Sequence, residues 1–155
     1  MYTTRDLLPS DFETICLHRE LMFAASGRPR EALKPMTEAF HRWLPPKLAS
    51  GDYFGWMIEH EGAVVAGLGM MVIDWPPHPS HPTQAVRGYI LNVYVEPEHR
   101  RRGLAEQLMA RAKLEGEYRG LDYLVLHATE MGRPMYEKLG WKASAEMGLH
   151  LAKPI

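Results

Sequence analysis

The sequence contains one cysteine, Cys16, among 155 residues. A single thiol cannot form an intramolecular disulfide, which excludes the disulfide-stabilised class of small secreted domains and favours a reducing compartment. The opening residues MYTTRD lack the basic and then apolar pattern of a secretory signal. No uninterrupted apolar run approaches the roughly 18 residues that a membrane-spanning helix requires. We therefore expect a cytoplasmic protein without a membrane partner.

The sequence also lacks an excess of either charge, because it has 18 basic and 19 acidic residues and a formal net charge of -1. A general nucleic-acid binder would carry a basic surplus. The triplet Arg100–Arg102 is the one basic cluster that could support such a function, and aromatic residues do not interleave with it. We expect no nucleic-acid partner.

Metal-binding motifs are missing as well, although the chain has eight histidines. Neither a His-Glu-x-x-His nor a Cys-x-x-Cys spacing occurs. His78 and His81 lie in the proline-rich run PPHPSHP, which is typical of a loop, and we expect both side chains to be in solvent. The sequence therefore predicts no metal site.

The length suits a single domain over residues 1–155, because a chain of this size can bury roughly 68–70% of its unfolded surface in one core. Hydrophobic periodicity and the positions of proline and glycine predict ten elements in the order β-α-α-β-β-β-α-β-α-β. These are strands at 2–9, 53–60, 63–73, 86–95, 122–128 and 142–151, and helices at about 10–27, 31–43, 101–118 and from Pro134 onward. We expect the second helix to end at Pro45 and Pro46, and Glu61-Gly62 to form a hairpin turn. This order indicates an α/β fold with helices packed on a mixed sheet.

The segment VYVEPEHRRRGLAEQLM, residues 93–109, runs from a β-branched strand into an amphipathic helix. Pro97 ends the strand, and the apolar spacing predicts that the helix begins near Arg101 or Arg102. The first turn of a helix has backbone N–H groups without partners and the positive end of the helix dipole, so it favours a bound phosphate. Gly103 in that turn would let the phosphate approach closely. The alternative is a solvated basic helix start with an incidental glycine.

Two motifs within the last two thirds of the chain carry a resemblance. The spacing Arg100-x-x-Gly103-x-Ala105, directly after Val-x-Val-x-Pro, resembles the acyl-CoA pyrophosphate signature of the GNAT superfamily of N-acetyltransferases. The later block LHATEMGRPMYEKLGW resembles a second motif of that superfamily through Tyr136, Lys138, Leu139, Gly140 and Trp141. The resemblance implies a GNAT-like mixed, mostly antiparallel central sheet flanked by helices. It also implies acetyl-CoA as the acyl donor and the amine of a small molecule or a peptide as the acceptor.

The superfamily pattern further implies how the cofactor would be held. The cofactor-binding part of the strand would be Val93, Tyr94 and Val95, and the backbone groups of Val93 and Val95 would bond the pantetheine arm like an added strand. This arrangement requires that the strand splay from the one at 122–128. The pyrophosphate would be received by the backbone amides of Arg101, Arg102, Gly103, Leu104 and Ala105, with charge added by the side chains of Arg100 and Arg102. Thr129 stands where the superfamily commonly has asparagine, and its hydroxyl could make one cofactor hydrogen bond.

Tyr136 matches the tyrosine that many members of the superfamily use as the general acid. A phenol with a reference pKa of about 10 stays protonated at neutral pH and can protonate a departing thiolate. The alternative is that Tyr136 only packs, with its hydroxyl satisfied. The usual positions of the general base correspond to Tyr89 and Leu91, neither of which accepts a proton readily. His127 is the candidate base, although a structural role for it or a water relay is an open alternative.

The sequence thus predicts an acetyl-CoA-dependent N-acyltransferase that works by direct transfer, since Cys16 is far from both motifs in sequence. The alternative function is a non-catalytic acyl-CoA-binding sensor, which the missing base on the preceding strand would suit. A homodimer is compatible with the sequence, but neither the acceptor nor the oligomeric state is fixed by it.

Overall fold

The computed structural model describes residues 1–151. Its strands are β1 (Tyr2–Asp6), β2 (Phe54–His60), β3 (Ala63–Asp74), β4 (Val86–Val95) and β5 (Leu124–Leu126). Its helices are α1 (Phe12–Ala25), α2 (Arg30–Ser50), α3 (Leu104–Tyr118) and α4 (Arg133–Lys138), with short 3-10 turns at Pro9–Asp11 and Pro97–His99.

One five-stranded sheet has the order β1-β2-β3-β4-β5. The first four strands pair antiparallel with their neighbours, whereas β4 and β5 run parallel. The β2–β3 turn is the predicted hairpin, because Glu61 and Gly62 both adopt positive φ values, 52° and 82°, as a tight type I′ connection requires. The predicted mixed, mostly antiparallel sheet is confirmed.

Both faces of the sheet are covered, which follows from the alternation along β2. Trp56 and Ile58 pack with the apolar face of α3, while Met57 between them packs with residues of α1 and α2. Successive strand residues point to opposite faces, so the apolar run 54–58 of β2 is covered on both sides of the sheet. The sheet therefore separates two apolar layers, with α3 on one face and α1 and α2 on the other.

Helix α2 does not end at Pro45 and Pro46, as the sequence predicts, but continues through both residues to Ser50. The two prolines lie on the exposed side, where the carbonyls that lose an N–H partner can bond water. Leu44 and Leu48, one turn apart, are buried at 0% and 8% exposure, and burying two leucines gains roughly 3–6 kcal/mol. Tertiary packing outweighs the proline penalty, and the helix ends at Gly51 in a left-handed conformation, φ 80°.

The predicted strand at 142–151 is wrong, since this segment forms no strand and its residues from Lys142 onward are exposed. Met147, Leu149 and Leu151 have the alternation of a half-buried strand, yet each is at least 83% exposed. The neighbouring strand β5 has only three residues instead of the predicted seven at 122–128, so it offers too short an edge for pairing. Strand β1 is likewise shorter than predicted and ends at Asp6.

None of the helices within residues 1–151 combines the length and the apolar character that crossing a bilayer would need.

Candidate active site

The sheet forks where β4 and β5 part. Their parallel pairing extends from Gly88 to Ile90 on β4 and stops at the pair Ile90–Leu126, although β4 continues to Val95. A bulge in β4 accompanies the divergence, because the pairing with β3 moves from Gly69–Leu91 to Gly67–Tyr94 and leaves one extra residue on β4. The expected splay between these strands is confirmed. Within residues 1–151, the edge of β4 beyond Ile90 has no strand partner on its β5 side.

A cavity of about 730 Å³ opens at this fork. Its walls are the end of β4 (93–95), the following loop with the first turn of α3 (99–101 and 103–106), the segment after β5 (126–127 and 129–132), Tyr136, and the end of α1 (22 and 25–27). The two sequence motifs therefore meet around one space. All of the predicted cofactor-binding and catalytic residues line it except Arg102, which is exposed outside the cavity.

Helix α3 begins at Leu104, not at Arg101 or Arg102 as the sequence predicts. Arg101 and Gly103 have left-handed φ values of 62° and 76°, which a right-handed helix cannot include. Gly103 is thus the N-cap instead of a residue of the first turn, and its carbonyl accepts the first bond of the helix from Gln107 N at 3.0 Å. The glycine serves the turn into the helix as well as the approach of a ligand.

The backbone amides of residues 101–106 find no acceptor in the described part of the chain. They include the amides of the first turn of α3, where the helix dipole adds positive potential. Such a run of donors beside a cavity is an anion-binding arrangement that depends on backbone geometry, before any side chain contributes.

The arginines of this loop have unequal roles. Arg100 donates from Nε to the carbonyl oxygen of Val95 at 2.9 Å, and its guanidinium lies 5.6 Å from the Tyr94 ring centroid. Arg100 therefore ties the end of β4 to the loop. Arg101 is exposed and lines the cavity, so its whole side chain is available to a ligand there, whereas Arg100 has only its Nη1 and Nη2 groups left to offer.

Glu106 places a carboxylate beside Gly103, the N-cap of α3. Its Oε2 lies 3.4 Å from the position that a Cβ would take on Gly103, at the N-terminus of α3. A carboxylate in the first turn stabilises a helix by about 0.3–1 kcal/mol, but it repels a bound phosphate. We expect Glu106→Gln to tighten binding of coenzyme A about two- to fivefold, measured by calorimetry at low ionic strength, and to lower the stability of the free protein slightly.

Glu117→Gln is the matched control, since Glu117 is an exposed residue near the other end of α3 and outside the cavity. Its affinity for coenzyme A should equal that of the unmodified protein. Salt should reduce the effect of Glu106→Gln because it screens the repulsion. Equal affinities of the two variants at every salt concentration would contradict the assigned position of the anion.

Tyr136 lies on α4 at 9% exposure, against Gly132 and with its ring centroid 6.3 Å from that of Trp141. Burial raises the pKa of the Tyr136 phenol to about 12. Its hydroxyl makes no hydrogen bond to any described residue, although the residue lines the cavity. The alternative of a packed tyrosine with a satisfied hydroxyl is thus disfavoured, and the phenol is a neutral donor at physiological pH.

His127 is the middle member of a hydrogen-bonded chain of three side chains at the cavity rim. Its Nδ1 bonds the hydroxyl of Tyr89, and its Nε2 bonds the carboxylate of Glu146. If the phenol donates to Nδ1, the proton on the ring is on Nε2 and donates to Glu146. Glu146 thus orients His127, and it lies in the segment that the sequence predicts to be a strand.

Comparison with known families now adds to this geometry. The sequence profile of the Acetyltransferase (GNAT) domain matches residues 51–143, which include the fork, the amide-rich loop and Tyr136. The chain belongs to the GNAT acetyltransferase family. A search of curated proteins gives no match.

Solved structures agree with this assignment. A GCN5-related N-acetyltransferase from Ralstonia eutropha JMP134 is 52% identical, with a TM-score of 0.93 over 100% of this chain and 99% of that one. A predicted acetyltransferase from Clostridium acetobutylicum, determined with acetyl-CoA, is 27% identical, with a TM-score of 0.84 over 98% and 96% of the two chains. Glucosamine-6-phosphate N-acetyltransferase from Arabidopsis thaliana shares the fold at 19% identity, with a TM-score of 0.70 over 98% and 99%.

Several residues at the GNAT cavity were not predicted from the sequence. The end of α1, from Met22 to Gly27, forms one wall, although the pattern identifies it only as the close of a helix.

Asn92 has a polar side chain in an apolar strand, which signals a buried partner. Its partners are Arg19, which donates to Oδ1 at 2.7 Å, and Tyr53, whose hydroxyl accepts from Nδ2 at 2.9 Å.

Thr129 stabilises its own turn, because its Oγ1 accepts a hydrogen bond from the N–H of Gly132 at 3.1 Å. The hydroxyl proton is still free to donate to a ligand in the cavity. The structure thus leaves room for one cofactor hydrogen bond at the position where the superfamily commonly has asparagine.

The prediction of solvent-exposed loop histidines holds for His78 but is wrong for His81, which is fully buried. Nδ1 of His81 lies 2.9 Å from the carbonyl of Gln84, and Nε2 accepts from Arg87 at 3.1 and 3.0 Å. Both ring nitrogens are engaged, so His81 holds the loop together. Within residues 1–151, no group of three or more His, Cys, Asp or Glu residues is arranged to hold a metal ion.

Proposed function

We propose that this GNAT acetyltransferase transfers the acetyl group of acetyl-CoA directly to the amine of a small molecule or a peptide. The observation that carries the proposal is the shared cavity, in which a run of unpaired amides, an open strand edge and the unbonded hydroxyl of Tyr136 meet. Each of these features matches one requirement of the reaction: an anchor for the diphosphate, a track for the pantetheine arm and a proton donor at its end.

In this proposal the donor lies along the fork. The amides of residues 101–106 and the charge of Arg101 hold the diphosphate. The backbone of Val93 and the N–H of Val95 offer the pantetheine arm the edge that β5 leaves open, because Tyr94 between them pairs with Gly67 of β3. The carbonyl of Val95 is already engaged by Arg100. Thr129 can donate to the arm from the other side of the fork. This path leads from the loop toward Tyr136.

The transfer then requires one bond to form and one to break. The lone pair of a neutral amine attacks the thioester carbonyl carbon, and the tetrahedral adduct collapses with cleavage of the C–S bond. The sulfur leaves as a thiolate and takes the proton of the Tyr136 hydroxyl, while the new amide nitrogen releases one proton to a base. The products are the N-acetylated acceptor and free coenzyme A, and Tyr136 regains its proton from solvent.

We propose His127 as that base. The bond to Glu146 holds the ring in the tautomer whose Nδ1 accepts a proton, and Tyr89 is hydrogen-bonded to that nitrogen. A proton from the acceptor can therefore reach His127 through the hydroxyl of Tyr89. This chain provides the basic group that the sequence of β4 lacks.

Direct transfer is favoured over an acetyl-cysteine intermediate. Cys16 is on the buried face of α1, at 2% exposure, and lies outside the cavity. Burial raises the pKa of its thiol to about 11, so the nucleophilic thiolate is not populated at neutral pH.

We further propose that residues 1–155 act as one domain in the cytoplasm, without a nucleic-acid or membrane partner and with a homodimer compatible with the fold. Support comes from the sheet, which joins strands from both ends of the chain, and from the reduced state expected for a single buried thiol.

The diphosphate anchor can be tested by removing one backbone donor. Ala105 is the second residue of α3, so its N–H has no helical partner and a proline there breaks no bond of the free protein. Since a hydrogen bond to a charged group contributes about 1.5–3 kcal/mol, we expect Ala105→Pro to weaken coenzyme A binding roughly 10- to 100-fold in calorimetry.

Ala105→Ser is the control, because it changes the side chain and keeps the amide. Acetyl-CoA at about 100 times its dissociation constant should stabilise the unmodified protein and this variant by about 2.7 kcal/mol. Release of free thiol that depends on an added acceptor is expected of an enzyme and not of an acyl-CoA-binding sensor. Unchanged affinity of a folded Ala105→Pro variant would contradict the proposed anchor.

A further inference from the structure

Arg19 on α1 is a charged residue that the proposed mechanism does not use. Its side chain is half-buried and reaches β4, where Nη1 donates to Oδ1 of Asn92 at 2.7 Å. Nε is fully buried and makes no hydrogen bond to the described residues. Buried polar groups in folded proteins are almost always paired, so an unpaired guanidinium nitrogen indicates a partner that is not part of residues 1–151.

Two nitrogens of the Arg19 guanidinium, Nε and Nη2, have no hydrogen-bond partner among the described residues. Its central carbon lies 5.1 Å from the Phe23 ring centroid and 4.8 Å from that of Phe40, so aromatic rings pack against the group. Nη1 is occupied by Asn92, whose amide is fixed by a second bond to Tyr53. Nε and Nη2 form the remaining edge, and two parallel N–H groups on one edge match the two oxygens of a carboxylate.

Arg19 also lacks an acidic partner within the described chain. Among residues 1–151, no carboxylate lies within ion-pair distance of it. The acidic residues nearest in sequence are engaged elsewhere, Glu20 with Arg30 and Glu13 with His41 at 3.4 Å. Burial lowers the pKa of Arg19 from its ordinary value, which shows that its charge is only partly compensated.

The position of Arg19 connects it to the acceptor side of the cavity. Arg19 and Asn92 do not themselves line the cavity, but each has a neighbour that does. Met22 lies one helical turn further along the same face of α1, and Val93 directly follows Asn92. Tyr89 is close enough to Arg19 to influence its ionisation, and the Tyr89 hydroxyl bonds His127, the proposed base. An anion held by Arg19 would therefore lie on the side of β4 from which the amine must approach.

We infer that Arg19 binds the carboxylate of the acceptor, so that the preferred acceptors are amino acids or other amines that carry a carboxylate. This inference rests on the proposed function and names the substrate class of the same site. The carboxylate would bind Nη2, and it would reach Nε once the side chains that cover this atom in the free protein move aside. The amine would point toward Tyr89 and His127. The buried cation thus selects the acceptor by charge, because an uncharged amine would leave Nε unpaired.

The test compares acids with their amides. The probes are the twenty common amino acids and the unbranched ω-amino acids with one to five methylenes, each matched with its carboxamide. Each is tested with acetyl-CoA for thiol release and by calorimetry on the coenzyme A complex. We expect the best acids to exceed their amides at least tenfold in kcat/KM. The amide has the less basic amine, so a preference for the acid cannot come from a larger fraction of neutral amine.

Arg19→Gln should reduce this acid-to-amide ratio to about one without changing the KM for acetyl-CoA. Arg19→Lys keeps the charge, loses the planar fork and should give an intermediate ratio. Arg28→Gln is the matched control, since Arg28 is exposed, lies 5.5 Å from the same Phe23 ring and should retain the ratio of the unmodified enzyme.

The inference is overturned if the unmodified enzyme shows no preference for acids in turnover or binding, or if Arg19→Gln retains that preference. Should the variant fail to fold, the acid and amide comparison on the unmodified enzyme still decides. Equal acetylation of acids and uncharged amines would remove Arg19 from the site and keep the proposed function. No thiol release with any amine, together with no heat from acetyl-CoA, would instead contradict the proposed function.

Discussion

Replacing Tyr136 with phenylalanine is expected to lower kcat by roughly 100- to 10 000-fold, with the affinity for acetyl-CoA nearly unchanged. The phenol acts only as the C–S bond breaks, so its loss affects the transition state and not the bound ground state. Burial raises its pKa to about 12, so the unmodified enzyme keeps this proton at any pH below that value. Its activity should therefore not decline between pH 7 and 10 through ionisation of Tyr136.

Steady-state kinetics with an acetylated acceptor, together with calorimetry of acetyl-CoA, separates the two effects. Tyr123→Phe is a suitable control, because Tyr123 is a partly buried tyrosine outside the cavity and its substitution should leave kcat within about twofold. A Tyr136→Phe variant with kcat within threefold of the unmodified enzyme would remove Tyr136 from the acid role. A large rise in the dissociation constant of acetyl-CoA would assign it to binding instead.

The anion-binding loop illustrates how far sequence reasoning reaches. Residues 93–109 carry their own signals of strand, proline, turn and apolar helix face, so the site follows from local preferences. The start of the helix is harder to predict from the sequence, because it depends on left-handed conformations at Arg101 and Gly103. Arginine rarely adopts positive φ, and the surrounding structure imposes it here. The sequence therefore locates the loop correctly and misplaces its helix by two or three residues.

Long-range packing explains the larger errors. Pro45 and Pro46 are strong local signals for a helix end, but their effect is overridden by the burial of Leu44 and Leu48 in another part of the fold. The segment at 142–151 has strand alternation without a partner strand to satisfy it, since β5 is short. In both cases the outcome depends on neighbours that are distant in sequence, which periodicity does not reveal.

The partners of the proposed catalytic groups and of buried polar groups are equally non-local. The pattern indicates that Asn92 needs a partner but cannot select Arg19, which is 73 residues away. Glu146 pairs with His127 only because the chain after α4 returns past the end of β5. Single residue types and motifs therefore predict the donor side of the site, while the acceptor side requires the folded structure.

Lowering the pH from 6.5 to 4 is expected to destabilise the protein by about 3 kcal/mol through His18 alone. His18 is 2% exposed on α1, with its ring centroid 4.9 Å from that of Tyr94. Burial lowers the pKa of His18 to about 4, although Asp11 opposes the shift. The unfolded chain, with an ordinary pKa near 6.5, binds a proton first as the pH falls. Stability is thus complete above pH 6.5 and is lost progressively down to about pH 4.

Urea unfolding across this pH range, compared between the unmodified protein and His18→Gln, isolates the contribution. Other groups titrate equally in both proteins, so the difference in free energy of unfolding should change by about 3 kcal/mol between pH 6.5 and 4, whatever the cost of the substitution at neutral pH. His78→Gln, at an exposed loop histidine, should follow the unmodified protein. Parallel curves for the unmodified protein and His18→Gln would show that His18 can be protonated within the fold, and the close packing of α1 on Tyr94 would then be in error.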